Sequence, residues 1–167
     1  DRILNVTPDS FSDGGKYNNL DSAMKQAEKL ISDGADIIDV GGESTRPGHI
    51  QISSEEEISR VVPIIEKISK NLNTIISIDT YKYDVAEEAI KAGANIINDI
   101  WGLQYDNGEM AELVKKSNLP IIIMHNQNDE IYSKDIMLSL REFFEKTYKI
   151  ADKYGIDSCL LYTSPSP

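Results

Sequence analysis

Short apolar runs alternate with longer amphipathic stretches along the chain. Five runs place apolar, mostly β-branched residues at consecutive positions, which is the pattern of strands buried on both faces of a parallel sheet. The predicted strands are Ile3–Val6, Asp36–Val40, Ile75–Asp79, Asn95–Asp99 and Ile121–Met124. Between the strands, apolar residues recur at helical spacing. Repeated β–α order predicts a parallel α/β architecture, either a (β/α)8 barrel or a doubly wound sheet.

The ends of the predicted helices have recognisable signals. Ser53 with Glu56 three residues later indicates a capping box. The segments "DGADIIDV" (33–40) and "AGANIINDI" (92–100) resemble each other, and each places a glycine after a helix, then a strand and an acid. The chain has no G-x-G-x-x-G after its first strand, which disfavours the dinucleotide-binding version of the doubly wound sheet.

Polar residues gather where the predicted strands end. They are Asn5, Asp39, Asp79, Asn98, Asp99 and His125, together with the segment "GGESTRPG" at 41–48. In both candidate architectures, ligands bind at the carboxyl ends of the strands. The segment 41–48 combines glycines, which allow a close backbone approach, with hydroxyl and guanidinium donors. The sequence therefore predicts a small-molecule site on this rim of the sheet.

Charge and composition narrow the range of partners. The net charge of −11 argues against binding to nucleic acid or to an acidic membrane surface. An anionic small molecule remains possible through local donors or a metal. No apolar run approaches the roughly 18 residues of a membrane span. Cys159 is the single cysteine, so no internal disulfide can form, and a cytoplasmic, reducing location is expected.

The motifs on this rim resemble those of dihydropteroate synthases. The segments "ILNVTPDSFSDGG" (3–15) and "DIIDVGGESTRPG" (36–48) are similar to the two signature segments of that family. Three further segments fall where the family has strand ends: "SIDT" (77–80), "IINDI" (96–100) and "MHNQ" (124–127). The resemblance implies a (β/α)8 barrel. It also implies an enzyme that joins 6-hydroxymethyl-7,8-dihydropterin pyrophosphate to 4-aminobenzoate, giving 7,8-dihydropteroate and pyrophosphate for folate synthesis.

The resemblance extends from residue 3 to about residue 156. It implies that the first five to six β–α units of the barrel are present and that the chain is truncated at both ends. We therefore predict a partial barrel domain at 1–156 and a tail outside the family at 157–167. Later strands of the family supply an Asp and a Lys to the pterin, so the chain alone is expected to be inactive. Family members are commonly dimers, and a homodimer is expected at full length.

By this resemblance, Asp79 and Asn98 bind the dihydropterin, and Asp79 is also catalytic. A pterin edge presents two parallel donors that one carboxylate can accept, and ring acceptors that suit an amide N–H. Taken alone, Asp79 would be interpreted as a carboxylate preceding the helix at 83–92, and Asn98 as a hydrogen-bonding residue at a strand end. The resemblance favours the binding role for both. Asp99 is expected to orient its neighbours.

The resemblance also implies a site for the leaving pyrophosphate. An acidic chain needs a metal and local donors to bind such an anion. Asn5 matches the position whose side-chain oxygen binds Mg²⁺. Thr45 and Arg46 match positions that contact the phosphates, Arg46 being also catalytic, and His125 is a further phosphate contact. Taken alone, Arg46 would be a solvated charge paired with Glu43.

The segment "TPDSFSDGG" (7–15) resembles the lid that closes over aminobenzoate, with Phe11 packing against the aromatic ring. In the implied reaction, pyrophosphate leaves the pterin methylene before the arylamine attacks. Such a reaction needs no nucleophilic side chain, and the sequence offers no Ser–His or Cys–His constellation.

Two other functions fit parts of the pattern. Pterin-binding methyltetrahydrofolate methyltransferases share the Asp and Asn at the strand ends, but they are not expected to have the "DSFSDGG" and "STRPG" segments together. A catalytically incompetent fragment of the synthase would have the pterin-facing rim without the rest of the site.

Overall fold

The structure is a computed structural model that describes residues 3–6, 16–42, 51–126, 134–157 and 159–164. Strands and helices alternate strictly through these residues. The strands are β1 (Ile3–Val6), β2 (Ile37–Gly41), β3 (Ile75–Asp79), β4 (Ile96–Asn98), β5 (Ile121–Asn126) and β6 (Cys159–Ser164). The helices are α1 (Lys16–Ser32), α2 (Ser54–Asn71), α3 (Tyr83–Ala92), α4 (Glu109–Ser117) and α5 (Lys134–Tyr154).

The strands form one parallel sheet in the order β1-β2-β3-β4-β5-β6. Each strand therefore pairs with the next strand along the chain. A doubly wound sheet reverses its strand order near the middle, whereas a (β/α)8 barrel keeps chain order throughout. The predicted parallel α/β class is confirmed, and the strand order is that of a barrel.

The strand predictions agree closely with the structure. The bounds of β1 and β3 are as predicted, and the bounds of the other predicted strands shift by one or two residues. Strand β6 lies in the segment predicted to be a tail, and it pairs with β5 from Ile121 opposite Cys159 to Asn126 opposite Ser164. Strand pairing does not mark the end of a family segment, so the domain boundary at residue 156 stays a prediction.

The core lies between the sheet and the apolar stripes of the helices. Strand residues are buried at consecutive positions, as in Ile76, Ser77 and Ile78, because helices cover a parallel sheet. Helix α2 packs its stripe against this sheet through Val61, Ile64, Ile65 and Ile68. None of the helices in the described part of the chain combines the length and the apolar character that a membrane crossing requires.

Helix α2 begins at the predicted cap. The Ser53 hydroxyl accepts a hydrogen bond from the Glu56 N–H at 3.2 Å, which satisfies one of the first amide donors of the helix. The Glu56 carboxylate accepts from Arg60 at 2.7 Å, one turn further along the helix. The Ser53 half of the capping box is therefore formed, whereas the Glu56 side chain pairs with Arg60 on the helix surface.

Helix α3 ends at a glycine for a steric reason. Gly93 has φ +130°, and a Cβ at this position would lie 2.5 Å from the Ser69 hydroxyl oxygen on α2. Only glycine combines this backbone conformation with such a close helix contact. The similar Gly34, after α1, has φ +101°. Both glycines turn the chain from a helix into the next strand and thereby fix where that strand starts.

Candidate functional site

The carboxyl ends of β2, β3 and β4 meet at one point of the rim. Gly41, Asp79 and Asn98 lie opposite one another in the register of these strands. A Cβ at Gly41 would lie 3.5 Å from the Asp79 carboxylate oxygen Oδ2. The glycine therefore leaves room beside this carboxylate, which a larger side chain would fill. The two residues that the sequence assigns to pterin binding are thus neighbours in space.

Asp39 anchors the amide of Asn98. The Asp39 carboxylate is buried and accepts hydrogen bonds from the Ser77 hydroxyl and from Asn98 Nδ2, the latter at 3.3 and 3.4 Å to its two oxygens. This contact identifies which end of the Asn98 amide faces Asp39. Burial raises the pKa of Asp39 to about 6, although the hydrogen bonds from Ser77 and Asn98 oppose the rise.

Asp99 organises the segment that follows β4. Its two carboxylate oxygens accept from the backbone N–H groups of Trp101 and Leu103, each at 2.9 Å. Leu103 adopts φ +68°, which is uncommon for a branched residue and is held here by this contact. Burial raises the pKa of Asp99 to about 6, against the lowering effect of the two N–H donors. Asp99 therefore orients its neighbours, as the sequence predicts.

A buried ion pair lies behind the same rim. Lys82 Nζ is 2.9 Å from Glu57 Oε1, and the exposed fractions of the two side chains are 8% and 1%. The Thr80 hydroxyl donates to the other Glu57 oxygen at 2.7 Å. Sequence reasoning missed this cluster, because Glu57 is one of three consecutive acids in the first turn of α2 and looks like an ordinary surface residue.

Three aromatic rings cluster beside these polar groups. Tyr81 follows β3, and Trp101 and Tyr105 follow β4. The ring centroids are 4.4 Å apart for Tyr81 and Tyr105, 5.7 Å for Trp101 and Tyr105, and 5.9 Å for Tyr81 and Trp101. The tilted and edge-to-face arrangements are those that aromatic pairs favour. The rings form an apolar surface next to the polar strand ends. The sequence analysis did not identify these three residues.

Several predicted site residues cannot be compared with the structure. Phe11, Thr45 and Arg46 lie outside the described residues. Of Asn5 and His125 the backbone alone is described, in β1 and β5. Asn5 lies opposite Asp39 in the register of β1 and β2, so its strand position is on the same side of the sheet as the candidate site. The roles of all five residues stay predictions.

The donor chemistry of this rim is compatible with a magnesium ion. Among the residues that the structure describes, no group of three or more His, Cys, Asp or Glu side chains could hold a metal ion. Mg²⁺ commonly keeps several waters and takes one or two protein ligands together with substrate phosphates, so it needs no such group. Both Asp39 oxygens already accept hydrogen bonds. The assignment of Asn5 as the residue that would hold the ion comes from the family resemblance and stays a prediction.

A cavity of about 650 Å³ lies at the opposite end of the sheet. Its lining includes the starts of three strands, at Ile75, Ile96 and Pro120. Ligands of parallel α/β folds bind at the carboxyl ends of the strands. The candidate site is therefore the rim around Asp79 and Asn98, and this cavity lies at the opposite face, where the strands begin.

Comparison with protein families identifies the relatives of this chain. The profile of the family described as pterin binding enzyme matches residues 2–162. This range includes the first part of the segment 157–167, for which the sequence analysis predicts no family resemblance. The chain is 52% identical over 163 residues to the dihydropteroate synthase of Bacillus subtilis and 53% identical over 154 residues to that of Clostridium beijerinckii.

Solved structures give the same result. The fold superposes on a dihydropteroate synthase from Clostridium difficile, determined in the presence of pteroic acid, with a TM-score of 0.83 and 52% identity over 95% of this chain. It also superposes on a dihydropteroate synthase from Xanthomonas albilineans with 4-aminobenzoic acid, with a TM-score of 0.82 and 36% identity over 99% of this chain.

The chain spans only part of each relative. It covers 56% of the length of the Bacillus subtilis protein and 61% of the Clostridium difficile structure. The relatives and solved structures named above are dihydropteroate synthases, so the methyltransferase alternative is not favoured. Because the family profile matches nearly every residue, and because the rim brings together the Asp and Asn that the sequence predicts, the chain belongs to the pterin-binding enzyme family.

Proposed function

We propose that this chain provides the pterin-binding part of a dihydropteroate synthase. The observation that supports the proposal most directly is the arrangement of Asp79 and Asn98, which lie opposite each other at the ends of β3 and β4. Asp39 fixes the Asn98 amide through two contacts. A carboxylate beside a fixed amide suits the aminopyrimidinone edge of a pterin, which presents parallel donors and ring acceptors.

Asp79 would accept two donors from the pterin edge and so set the orientation of the ring. Gly41, opposite Asp79 in the strand register, places no side chain beside the carboxylate. The Asn98 amide would add a polar contact at a fixed angle. Orientation of this kind matters for catalysis, because the methylene carbon must face the incoming amine.

The diphosphate end would be bound by residues that precede and follow the pterin pocket along the rim. Thr45 and Arg46 would donate to phosphate oxygens, and His125 would supply a further contact. Mg²⁺, held by Asn5, would neutralise part of the diphosphate charge when bound. Such compensation is required because the chain has a net charge of −11.

In the proposed reaction, the bond between the pterin methylene carbon and the diphosphate oxygen breaks, and pyrophosphate leaves with the electron pair. The nitrogen of 4-aminobenzoate then bonds to the methylene carbon and loses a proton. The arylamine is already neutral at pH 7, so the protein contributes orientation, charge stabilisation and exclusion of water. Phe11 would pack against the aminobenzoate ring.

The proposal is tested with a chimera that joins residues 1–156 to the remaining C-terminal part of the Bacillus subtilis synthase. We expect the chimera to form 7,8-dihydropteroate from the two substrates, and Arg46→Ala to reduce kcat by at least about tenfold. A folded chimera without turnover would overturn the proposal. The 167-residue chain alone is expected to give no product, because the family places further pterin-binding residues on later strands; measurable turnover would contradict that expectation.

Assembly and location follow from the same proposal. A homodimer is expected for the full-length protein, since family members are commonly dimers. A cytoplasmic location stays a prediction from the single cysteine and from the substrates of folate synthesis.

A further inference from the structure

The buried pair Glu57–Lys82 connects two separate segments of the rim. Lys82 Nζ donates to the backbone carbonyl of Ile52 at 2.7 Å as well as to Glu57. Glu57 accepts from Thr80, the residue that directly follows β3. The pair therefore joins the entry to α2 with the exit from β3, which are 30 residues apart in the chain.

The same cluster is packed against the exit from β2. A Cβ at Gly42 would lie 3.0 Å from Glu57 Cγ and 3.2 Å from the Glu57 carbonyl oxygen. One helical turn on, Arg60 donates to the Gly42 carbonyl at 3.1 Å. Gly42 precedes the segment that contains Thr45 and Arg46, and Ile52 follows it. Arg60 thus holds the Gly42 end of that segment, where Glu57 also packs, and Lys82 holds the Ile52 end.

The cluster also reaches the pterin-binding side of the rim. The Thr80 N–H donates to the Asn98 carbonyl at 3.1 Å, and the Thr80 hydroxyl accepts from the Lys82 N–H at 3.2 Å. Thr80 is the neighbour of Asp79. A displacement of Glu57 would therefore be transmitted to Thr80, and from Thr80 to the two residues that face the pterin.

A salt bridge in this position is a costly way to gain stability. Two charges removed from water lose several kcal/mol of hydration each, and well-packed apolar residues often replace such pairs without loss. The pair does, however, fix the orientation of both side chains, because Glu57 and Lys82 each form more than one hydrogen bond to a defined partner. Its contacts are with strand and helix ends on the functional rim.

We propose that Glu57 and Lys82 are positioning residues that hold the exit from β2 at Gly42 and the entry to α2 at Ile52 in a fixed relation to the pterin-binding residues at the ends of β3 and β4. The proposal rests on the proposed synthase function. Neither side chain is expected to touch substrate. Their contribution is to hold two binding elements in one geometry, and a displacement of about 1 Å can reduce turnover by roughly a hundredfold.

The first test measures backbone exchange in the folded chimera, which completes the barrel. The double variant Glu57→Met/Lys82→Met removes the ties without leaving a buried charge unpaired, and methionine adapts to irregular space. We expect faster amide hydrogen exchange in peptides covering 41–52 and 80–82, and unchanged exchange in α4. Ile68→Val is the control, because it weakens the same helix on a face that packs in the core. Exchange at the rim equal to that of the control would overturn the proposal.

The second test measures kinetics in the chimera. We expect the double variant to melt near the parent temperature and to lose at least about tenfold in kcat, while Ile68→Val keeps the parent kcat. Lys82→Arg, which keeps the charge, is expected to recover part of the activity of Lys82→Met. A double variant with parent kcat would overturn the proposal, whereas an inactive parent chimera would overturn the synthase function instead; the exchange experiment still decides the positioning role in that case.

Discussion

Two lysine–carboxylate pairs in this chain have the same length and different surroundings. Lys82 and Glu57 are 2.9 Å apart, with 8% and 1% of their side chains exposed. Lys67 and Asp21 are also 2.9 Å apart, with 35% and 66% exposed. The first pair lies behind the functional rim, and the second joins α1 to α2 on the surface. Distance alone therefore does not distinguish a positioning contact from a solvated one.

Burial distinguishes the two pairs because a buried charge cannot exchange its partner for water. An exposed charge exchanges its partner for water at little cost, whereas a buried charge has no such substitute. Asp39 and Asp99 extend the comparison to buried acids for which the described part of the chain provides only neutral hydrogen-bond donors. Both accept hydrogen bonds from neutral donors, and both have a pKa raised to about 6 by burial. A buried acid on this rim is thus either paired with a lysine or protonated at mildly acidic pH.

The largest expected effect is the loss of one member of the buried pair. Lys82→Met leaves Glu57 without its cation, and we expect the free energy of unfolding to fall by about 3–5 kcal/mol. The double variant Glu57→Met/Lys82→Met is expected to regain most of this loss. Urea denaturation of the three proteins measures the difference. Equal destabilisation by the single and the double variant would contradict the comparison.

A smaller effect is expected from pH. Between about pH 4 and pH 6 the folded chain keeps Asp39 and Asp99 protonated while the unfolded chain ionises them, so the free energy of unfolding falls as pH rises through this window. A pKa rise from 3.8 to about 6 corresponds to about 3 kcal/mol for each group at most. Asp99→Asn should remove the contribution of Asp99 to the pH dependence of the free energy of unfolding. Parallel profiles for the parent and the variant would contradict the raised pKa.

A substitution of Asp79 tests the role of the partly exposed carboxylate at the end of β3 on the same rim. Asp79→Asn keeps the size of the side chain and replaces one acceptor oxygen by a donor. In the chimera we expect weaker binding of dihydropterin pyrophosphate by about 10- to 100-fold, corresponding to the roughly 1.5–3 kcal/mol of a charged hydrogen bond. Ile68→Val, which weakens the core packing of α2 away from the pterin-facing residues, is the control for general destabilisation. Parent affinity in Asp79→Asn would exclude the residue from the pterin site.

The smallest effect is expected for the exposed pair. Lys67 holds the pKa of Asp21 below its ordinary value, yet both side chains remain in contact with water. Lys67→Met should leave the midpoint of urea denaturation unchanged within experimental error at physiological ionic strength. A loss comparable to that of Lys82→Met would show that burial is not the deciding variable.

Local patterns account for much of the agreement between sequence and structure. Runs of consecutive β-branched residues marked β1 and β3 to the residue, because a strand buried on both faces needs apolar side chains at every position. The same reasoning predicted the binding rim at the carboxyl ends of the strands, since polar residues are tolerated where such strands end. Gly93 marked a helix end because only glycine adopts its backbone conformation beside Ser69. The order of the strands in the sheet was left open by these patterns and followed from the family motifs.

The contacts that join distant segments could not be predicted in the same way. Asp39 and Asn98 are 59 residues apart, and no local periodicity relates them. The three acids Glu55, Glu56 and Glu57 are alike in residue type. Helical phase places Glu57 four residues before Val61 on the buried stripe of α2, which is a signal for its burial, but nothing local identifies Lys82 as its partner.

The sequence by itself determined which residues could form this rim: strand ends with carboxylates and amides, and the motifs "GGESTRPG" and "SIDT". These features are local, because they depend on the alternation of strand and helix and on the residue types that end each strand. The tertiary structure decided which buried polar groups have a hydrogen-bonding or charged partner, and which residue that partner is. Burial changes the free energy of a charge by several kcal/mol and depends on the whole fold, so the pairing of Glu57 with Lys82 and of Asp39 with Asn98 exists only once the sheet is assembled.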